Sequence, residues 1–518
     1  MKKLKPQEVA LKKNRSIMEK LTPQDIVLLK KKGITEKIFA AQLSAFKNGF
    51  LSAALVKAAT VENGGITSFS TEDVKKYARF YDESSALYSI MKFVPASGAA
   101  TRMFKSLFAY YDELKAQPDA QPTGEAKVFF EHIKEFAFYN ELRKHLPAKA
   151  GNLEILDTLL KNGLDYGSLP KALLLFHFNG KTPIMALEEH LMEGAEYASG
   201  GGKCKIHFTV SPEHLTTFKK KVKNVLPRYE KKYGIKYQIS YSIQSPATDT
   251  VAVTLDNKIF RDEKGNIVFR PGGHGALIQN INALNTDIVF IKNIDNVTTE
   301  KKRNLTILYK KLIGGYLIAI KDTIHSFLVD INSKKFSEND LAQIETFAKK
   351  MFIDSPKEYK KYSFVQKKNY WKKMLNRPIR VCGIVKNEND IGGGPFFVNN
   401  VSNYDGLTSL QIVETSQINL KNSKQKTIFE QSTHFNPNDL ACWLKDYKGQ
   451  KFDLTKFTDP QAAFITEKSI KGKAIKAMEL PGLWNGAMAK WITVFIETPV
   501  SVFTPVKTVT DLLKEPHR

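Results

Sequence analysis

Two stretches of this chain share one grammar: a short apolar run, a tight turn of small or polar residues, then apolar residues at helical spacing. The first is "MKFVPASGAATRMFKSLFAYYDEL", starting at Met91. The second is "CKIHFTVSPEHLTTFKKKVKNVL", with a strand over 204–210 and Ser-Pro-Glu opening a helix. "YQISYSIQSPATDTVAV" and "DIVFIKNIDNV" add further strands. Strands that alternate with helices predict an α/β fold with a largely parallel sheet. No boundary after Met91 is sharp, so residues 89–518 are expected to form one catalytic domain. Residues 1–88 read as a helical N-terminal arm: "TPQDIVLLKKKGI" has a Thr-Pro-x-Asp start and stops at Gly33, and "STEDVKKYARFYDESS" has the same form. Loops are expected at 118–124 and at 386–396, and no internal repeat is present.

Charge narrows the function classes. The chain carries 78 Lys and Arg against 53 Asp and Glu, a net charge of +25. The excess is spread along the whole sequence, and no standard nucleic-acid motif accompanies it, so a nucleic acid is not the expected partner. An anionic small substrate fits as well. The apolar run "LIGGYLIAI" at 312–320 is too short to span a bilayer, and the N-terminus has no apolar core of a signal peptide. Cys204, Cys382 and Cys442 are far apart and form no CxxC pair. Together these features predict a cytoplasmic protein with no zinc site, no disulfide framework and no membrane partner.

Four motifs carry candidate chemistry. In "VPASGAATRMFK", small residues at 96–100 let backbone N–H groups approach an anion, and Arg102 and Lys105 add cations. In "RPGGHG", Arg270 to Gly275, three glycines in four positions imply unusual backbone angles or close ligand approach. "VFIKNIDNV" ends a strand in Asp295, and carboxyl edges of α/β sheets are where ligands bind. "FTPVKTVTDLL" offers Lys507 before a short helix near Thr510–Asp511. Each stretch, taken alone, is equally readable as packing, a plain loop, a capping aspartate or a surface lysine.

Taken in order, "GAATRM", "PGGHGA", "NIDNV" and "PVKTVTDLL" resemble the "GTSM", "PPGHGD", "NIDN" and "PVKTTSDLL" elements of the eukaryotic UDP-glucose pyrophosphorylase family. Further echoes of the UDP-N-acetylhexosamine pyrophosphorylases are "IHFTVSPEHLTTF", "IVETSQI" at 412–418 and "THFN" at 433–436. The chain as a whole also resembles a bacterial family of unassigned function.

This resemblance covers roughly residues 90–515 and implies a GT-A-like, Rossmann-related nucleotidyltransferase fold with a mixed, mostly parallel sheet. It implies that Ala96, Ser97, Gly98, Ala99, Ala100, Thr101 and Arg102 cradle nucleotide phosphates. Gln244, Gly273 and His274 would meet the base and ribose. Asp295 would hold Mg²⁺, and Lys507 would meet substrate phosphate. Glu414, Thr433 and His434 would meet the sugar, and Asn485 of "ELPGLWNGAMAKW" is a further sugar-pocket candidate.

Two departures stand out. The relatives follow their loop with "GxxxPK", whose lysine contacts phosphate; here the text is "RMFKSL", which leaves Lys105 or Arg102 as substitutes. The UDP-glucose relatives' C-terminal β-helix domain is not expected here. The expected reaction joins a nucleoside triphosphate, preferably UTP, to a sugar 1-phosphate and releases pyrophosphate. The alternative is a catalytically degenerate protein that holds a nucleotide sugar.

Overall fold

The computed structural model describes residues 21–200, 202–388, 392–399, 407–435, 439–470 and 472–518. Nine strands form the main sheet: β1 (Ile66–Thr67), β2 (Ile90–Pro95), β3 (Ser199–Gly200), β4 (Lys203–Thr209), β5 (Lys236–Ser242), β6 (Ile288–Lys292), β7 (Ile379–Ile384), β8 (Asp439–Trp443) and β9 (Ile492–Glu497). Their spatial order is β1-β9-β7-β8-β6-β2-β4, with β3 and β5 both paired to β4. Only β8 and β3 run antiparallel to their neighbours. The remaining pairs are parallel. The protein therefore has the expected α/β fold with a mixed, mostly parallel sheet.

Burial on both faces explains why the central strands read as continuous apolar runs. All five residues of β6 are buried. Ile288 and Phe290 face one core, shared with Val381, Ala441 and Val494. Val289 and Ile291 face the other, with Cys382, Leu440 and Cys442. The three cysteines are free and buried. The first core is covered by α6 (Arg303–Ile331), a helix of 29 residues. The run 312–320 is only its middle. By length and composition this helix could cross a membrane, but 56% of its apolar window is buried inside the protein.

The segment expected as a helical arm does more than that. Residues 1–20 lie outside the described residues. From there, α1 (Pro23–Lys32) is capped by a reciprocal Thr22–Asp25 pair and stopped by Gly33 at φ +73°, as its sequence implies. α2 (Glu36–Asn48) and α3 (Thr71–Ser84) follow. Between them, however, Leu55–Ala58 pairs with the strand Gly394–Asn399, and Ile66–Thr67 is β1 of the main sheet. α3 lies along α6 so closely that a Cβ on Gly315 would stand 2.0 Å from the Tyr77 carbonyl. The segment is thus woven into the domain. Of the loop expected over 386–396, residues 389–391 lie outside the described residues, and Gly394 already begins a strand.

Two features prepare the carboxyl edge of the sheet. Residues 105–162, between the end of the glycine-bearing loop and Gly167, form a helical lobe that starts with α4 (Lys105–Ala116). Its core includes Phe104, Leu107, Phe129 and Phe138, and also Val506, Val509 and Leu512 from the far end of the chain. Beneath the edge, α5 (Ala186–Tyr197) buries four ionisable side chains, Glu188, Glu189, His190 and Glu193. Glu193 bridges Lys92 of β2 at 2.9 Å and Lys292 of β6 at 2.8 Å. Burial works to raise the Glu193 carboxyl, but Lys292 and Lys92 hold it well below the ordinary value. Burial pushes the Lys92 ammonium down to about 8. His190 Nε2 lies 3.1 Å from the Ile294 carbonyl.

Candidate functional site

β2, β4, β5 and β6 all end on one side of the sheet, and the candidate residues follow those ends. The loop from Ala96 to Arg102 leaves β2, Gln244 follows β5, and Asp295 follows β6. Gly98, Ala99, Thr101 and Arg102 are exposed in this loop, and Lys105, the first residue of α4, is exposed beyond it. A Cβ on Gly98 would meet open space, so the loop surface is accessible. Ala96 and Ala100 use their N–H groups inside the protein, on the Thr209 and Leu169 carbonyls at 2.9 and 3.0 Å. Thr101 donates its hydroxyl to the Gly167 carbonyl at 3.2 Å.

The partner that docks on this loop is one the sequence reading missed. Pro170 bridges to Ala99, and the Lys171 N–H donates to the Gly98 carbonyl at 3.3 Å. The Lys171 side chain then reaches Asp295 Oδ2 at 2.8 Å and the Val506 carbonyl at 2.7 Å. The signal was in the text: "GSLPK", residues 167–171, holds a glycine followed by Pro-Lys. It escaped notice because the helical lobe separates it from the loop it serves. Arg102 and Lys105, the two candidates to replace the missing lysine, are exposed, and a lysine that reaches Asp295 is Lys171.

Asp295 and Lys507 are joined through the backbone. The Val506 N–H donates to the Asp295 carbonyl at 2.9 Å, Pro505 bridges to Asn296, and the Thr504 N–H donates to Asn296 Oδ1 at 2.9 Å. Lys507 follows directly. Its ammonium stands 5.6 Å from the centre of the Phe435 ring, and its N–H donates to Asp511 Oδ2 at 2.8 Å. Asp511 also accepts from the Thr508 N–H at 2.7 Å and caps the turn Val509–Leu513 that ends the motif. Four segments distant in sequence therefore meet, through the Lys171–Gly98, Lys171–Asp295 and Val506–Asp295 bonds. Among the described residues no group of three His, Cys, Asp or Glu could hold a metal ion by itself. A single carboxylate suits Mg²⁺, which commonly takes most of its ligands from substrate phosphates and water.

The nucleoside candidates form a second cluster. Gly273 has φ +79°, a left-handed conformation that favours glycine. The turn it belongs to packs against Glu479–Gly482: a Cβ on Gly275 would lie 1.9 Å from the Pro481 carbonyl, and the Leu480 N–H donates to the Gly272 carbonyl at 2.9 Å. His274 Nε2 lies 2.9 Å from where a Gly482 Cβ would be, and Asn485 Oδ1 2.5 Å from the same point. Protein crowding pushes the His274 imidazole down, with Glu479 opposing. Gln244 bonds weakly to Thr248 Oγ1, at 3.4 Å.

The sugar candidates are gathered by glycines and one amide. Gly393 and Gly394 let Glu414 and His434 close in: the missing Cβ atoms would lie 2.7 Å from Glu414 Cα and 2.8 Å from the His434 carbonyl. Gln417 Oε1 accepts from the Glu414 N–H at 2.9 Å and from Asn485 Nδ2 at 3.0 Å. Thr433 Oγ1 lies 2.8 Å from His434 Nδ1, and His434 Nε2 lies 3.4 Å from Glu497 at the end of β9. Burial pushes the His434 imidazole down, with Glu497 opposing.

No curated protein matches the chain. Among solved structures, UDP-N-acetylglucosamine pyrophosphorylase of Trypanosoma brucei, in complex with an inhibitor, is similar at 10% identity and a TM-score of 0.49, over 99% of this chain and 84% of that one. UDP-glucose pyrophosphorylase of Leishmania major, in complex with UDP-glucose, is similar at 12% identity and a TM-score of 0.43, over 94% of this chain and 77% of that one. Residues 22–518, nearly the whole chain, match one family, and the protein belongs to it: the domain of unknown function DUF4301.

Proposed function

We propose that this protein is a sugar-1-phosphate nucleotidyltransferase that joins a nucleoside triphosphate, with UTP the preferred candidate, to a sugar 1-phosphate and releases pyrophosphate. The observation that supports it most is the convergence of Lys171, Asp295 and Lys507 on the exposed small-residue loop at the carboxyl edge.

In such a reaction a phosphate oxygen of the sugar 1-phosphate attacks the α-phosphorus in line, and the bond to the leaving pyrophosphate breaks. No proton need be removed from that nucleophile at neutral pH. The protein's part is to orient the two anions and stabilise the charge that develops. Gly98 and Ala99 leave room for phosphate oxygens against the loop backbone. Lys171, bonded to Asp295, and Lys507, next to the Val506 that bonds the Asp295 carbonyl, would offset phosphate charge. Lys171 holds the Asp295 carboxylate when no ligand competes, and phosphate draws its ammonium away. Asp295 would then hold Mg²⁺, which when bound supplies further charge neutralisation at the phosphate oxygens.

A pyrophosphate-release assay with Mg²⁺, the four common nucleoside triphosphates and a panel of sugar 1-phosphates tests the proposal. Release that depends on one pair of substrates is the expected result. Tight binding of a UDP-sugar without any release would instead favour the degenerate reading, in which the Lys171–Asp295 pair stays closed. Asp295→Asn should remove the response to Mg²⁺, and a variant with unchanged Mg²⁺ dependence would exclude Asp295 as the ligand.

A further inference from the structure

A cleft of about 550 Å³ lies at the edge of the sheet opposite Asp295. Arg377 leads into β7 and Lys490 into β9, two parallel strands, so the cleft sits at their amino ends, whereas Asp295 follows the carboxyl end of β6. The other walls come from the end of α7 (Phe364–Leu375) and from the turn Leu454–Phe457.

Among the described residues these walls carry five cations, Lys372, Lys373, Arg377, Lys456 and Lys490, and no carboxylate. Lysines abound along the whole chain, so a few together mean little by themselves. Cations in the last turn of a helix are also ordinary, which accounts for Lys372 and Lys373. Lys456 and Lys490 arrive from other segments, and the backbone ties them there. The Lys490 N–H donates to the Phe457 carbonyl at 3.1 Å, and Arg377 Nη1 donates to the Lys490 carbonyl at 3.5 Å. Arg377 Nε donates to the Met374 carbonyl at 2.6 Å. The charge is only partly offset. Lys372 bonds a neutral amide, Asn332 Oδ1, at 2.6 Å, and Lys456 stands 3.7 Å from the exposed Asp453 carboxylate. Lys373 is exposed and makes no ion pair among the described residues.

Asn376, in the same wall, adds an independent observation. Its Oδ1 is buried and has no hydrogen-bond partner among the described residues. A buried acceptor left without a donor is costly, and a ligand hydroxyl would satisfy it. A phosphomonoester at neutral pH carries nearly two negative charges, which suit the lysines, but its oxygens accept and do not donate. A ligand that fits both features therefore joins a phosphate to a hydroxyl. A phosphate polymer needs cations along a track, whereas these gather round one concavity, within the roughly 300–1,000 Å³ of small-molecule sites.

We propose that this cleft binds a small hydroxylated phosphomonoester. The site goes beyond the nucleotidyltransferase reading and does not depend on it.

The test is calorimetry on the full chain with glycerol 3-phosphate, inorganic phosphate and a single-stranded oligonucleotide. Lys373→Glu combined with Lys456→Glu reverses two cleft charges. Lys220→Glu combined with Lys223→Glu makes the same change on the distant helix Leu215–Tyr233. All four lysines are exposed, so both pairs should fold. Saturable binding of glycerol 3-phosphate is expected, weakened about tenfold or more by the cleft pair and little by the control pair. It should survive Lys171→Met, which separates this site from the Asp295 centre. Asn376→Leu should weaken glycerol 3-phosphate more than inorganic phosphate, and equal effects on both would overturn the hydroxyl requirement. Absence of binding by the wild type overturns the proposal. So do equal losses in the two charge pairs, which would report diffuse charge only, and a loss confined to Lys171→Met. Tighter binding of the oligonucleotide, abolished by the cleft pair, would overturn it in favour of a nucleic acid.

Discussion

Lys171 is tied at three points: its N–H to Gly98, and its ammonium to Asp295 and to the Val506 carbonyl. A side chain so placed is there for its charge, because a packing role would not need an ammonium. Lys171→Met keeps the length and removes the cation. The expected result is a fall in kcat/KM of about 10²–10³-fold, the usual effect of losing one transition-state hydrogen-bond donor, with a melting temperature within a few degrees of the wild type. Lys507→Ala should do the same. Arg102 and Lys105 are exposed, whereas Lys171 is bonded to Asp295, so Lys105→Ala should cost far less than Lys171→Met. Kinetics on the three purified variants would decide the ranking, and equal losses at Lys105 and Lys171 would return the phosphate role to the loop itself.

At the scale of elements, the contact of α3 and α6 sets a hard limit. Gly→Ala inside a helix normally stabilises by up to about 1 kcal/mol. At Gly315 the sign should reverse, because the added carbon would stand 2.0 Å from the Tyr77 carbonyl and neither backbone can yield cheaply. Gly315→Ala is expected to destabilise by about 1–3 kcal/mol in urea unfolding, and a neutral or stabilising result would mean that the helices part without strain. The elements were legible where local chemistry decided them. The Thr22 cap, the Gly33 stop and the apolar run Ile288–Ile291 of β6 all announce themselves in a few residues. β1 did not, because two residues carry no periodicity, and its place depends on pairing with β9 at the other end of the chain. The same holds at the site. Asp295, Gly273 and Lys507 sit in compact motifs, whereas Lys171 acquires its meaning only when the helical lobe folds away and returns the chain to its loop.

The whole molecule carries an unusual load of buried ionisable groups, and its stability should register them together. His517 packs against His177, with Nδ1 and Nε2 2.8 Å apart, and His177 Nδ1 lies 2.9 Å from Glu189. Burial, helped by His177, pushes the His517 imidazole down to about 3 from an ordinary 6.5. Below pH 6.5 the unfolded chain takes up a proton that the folded chain refuses. The stability this neutral ring contributes is therefore present above pH 6.5 and is lost as pH falls toward 3, by up to about 1.4 kcal/mol per unit for each such histidine. Urea titrations at pH 7 and 5.5 should show the wild type losing stability and His517→Gln losing less. Equal slopes would show that the pair does not report on folding.

The segment after β9 joins two parts of the molecule that the sheet does not connect. Every strand of the main sheet lies at or before Glu497, whereas Thr504, Pro505 and Val506, which brace the Asp295 loop, and Lys507 itself lie beyond it. Val506, Val509 and Leu512 of the same segment fill the core of the helical lobe. One strap thus serves both places, and a displacement of the lobe would be passed on to the backbone that carries Asp295.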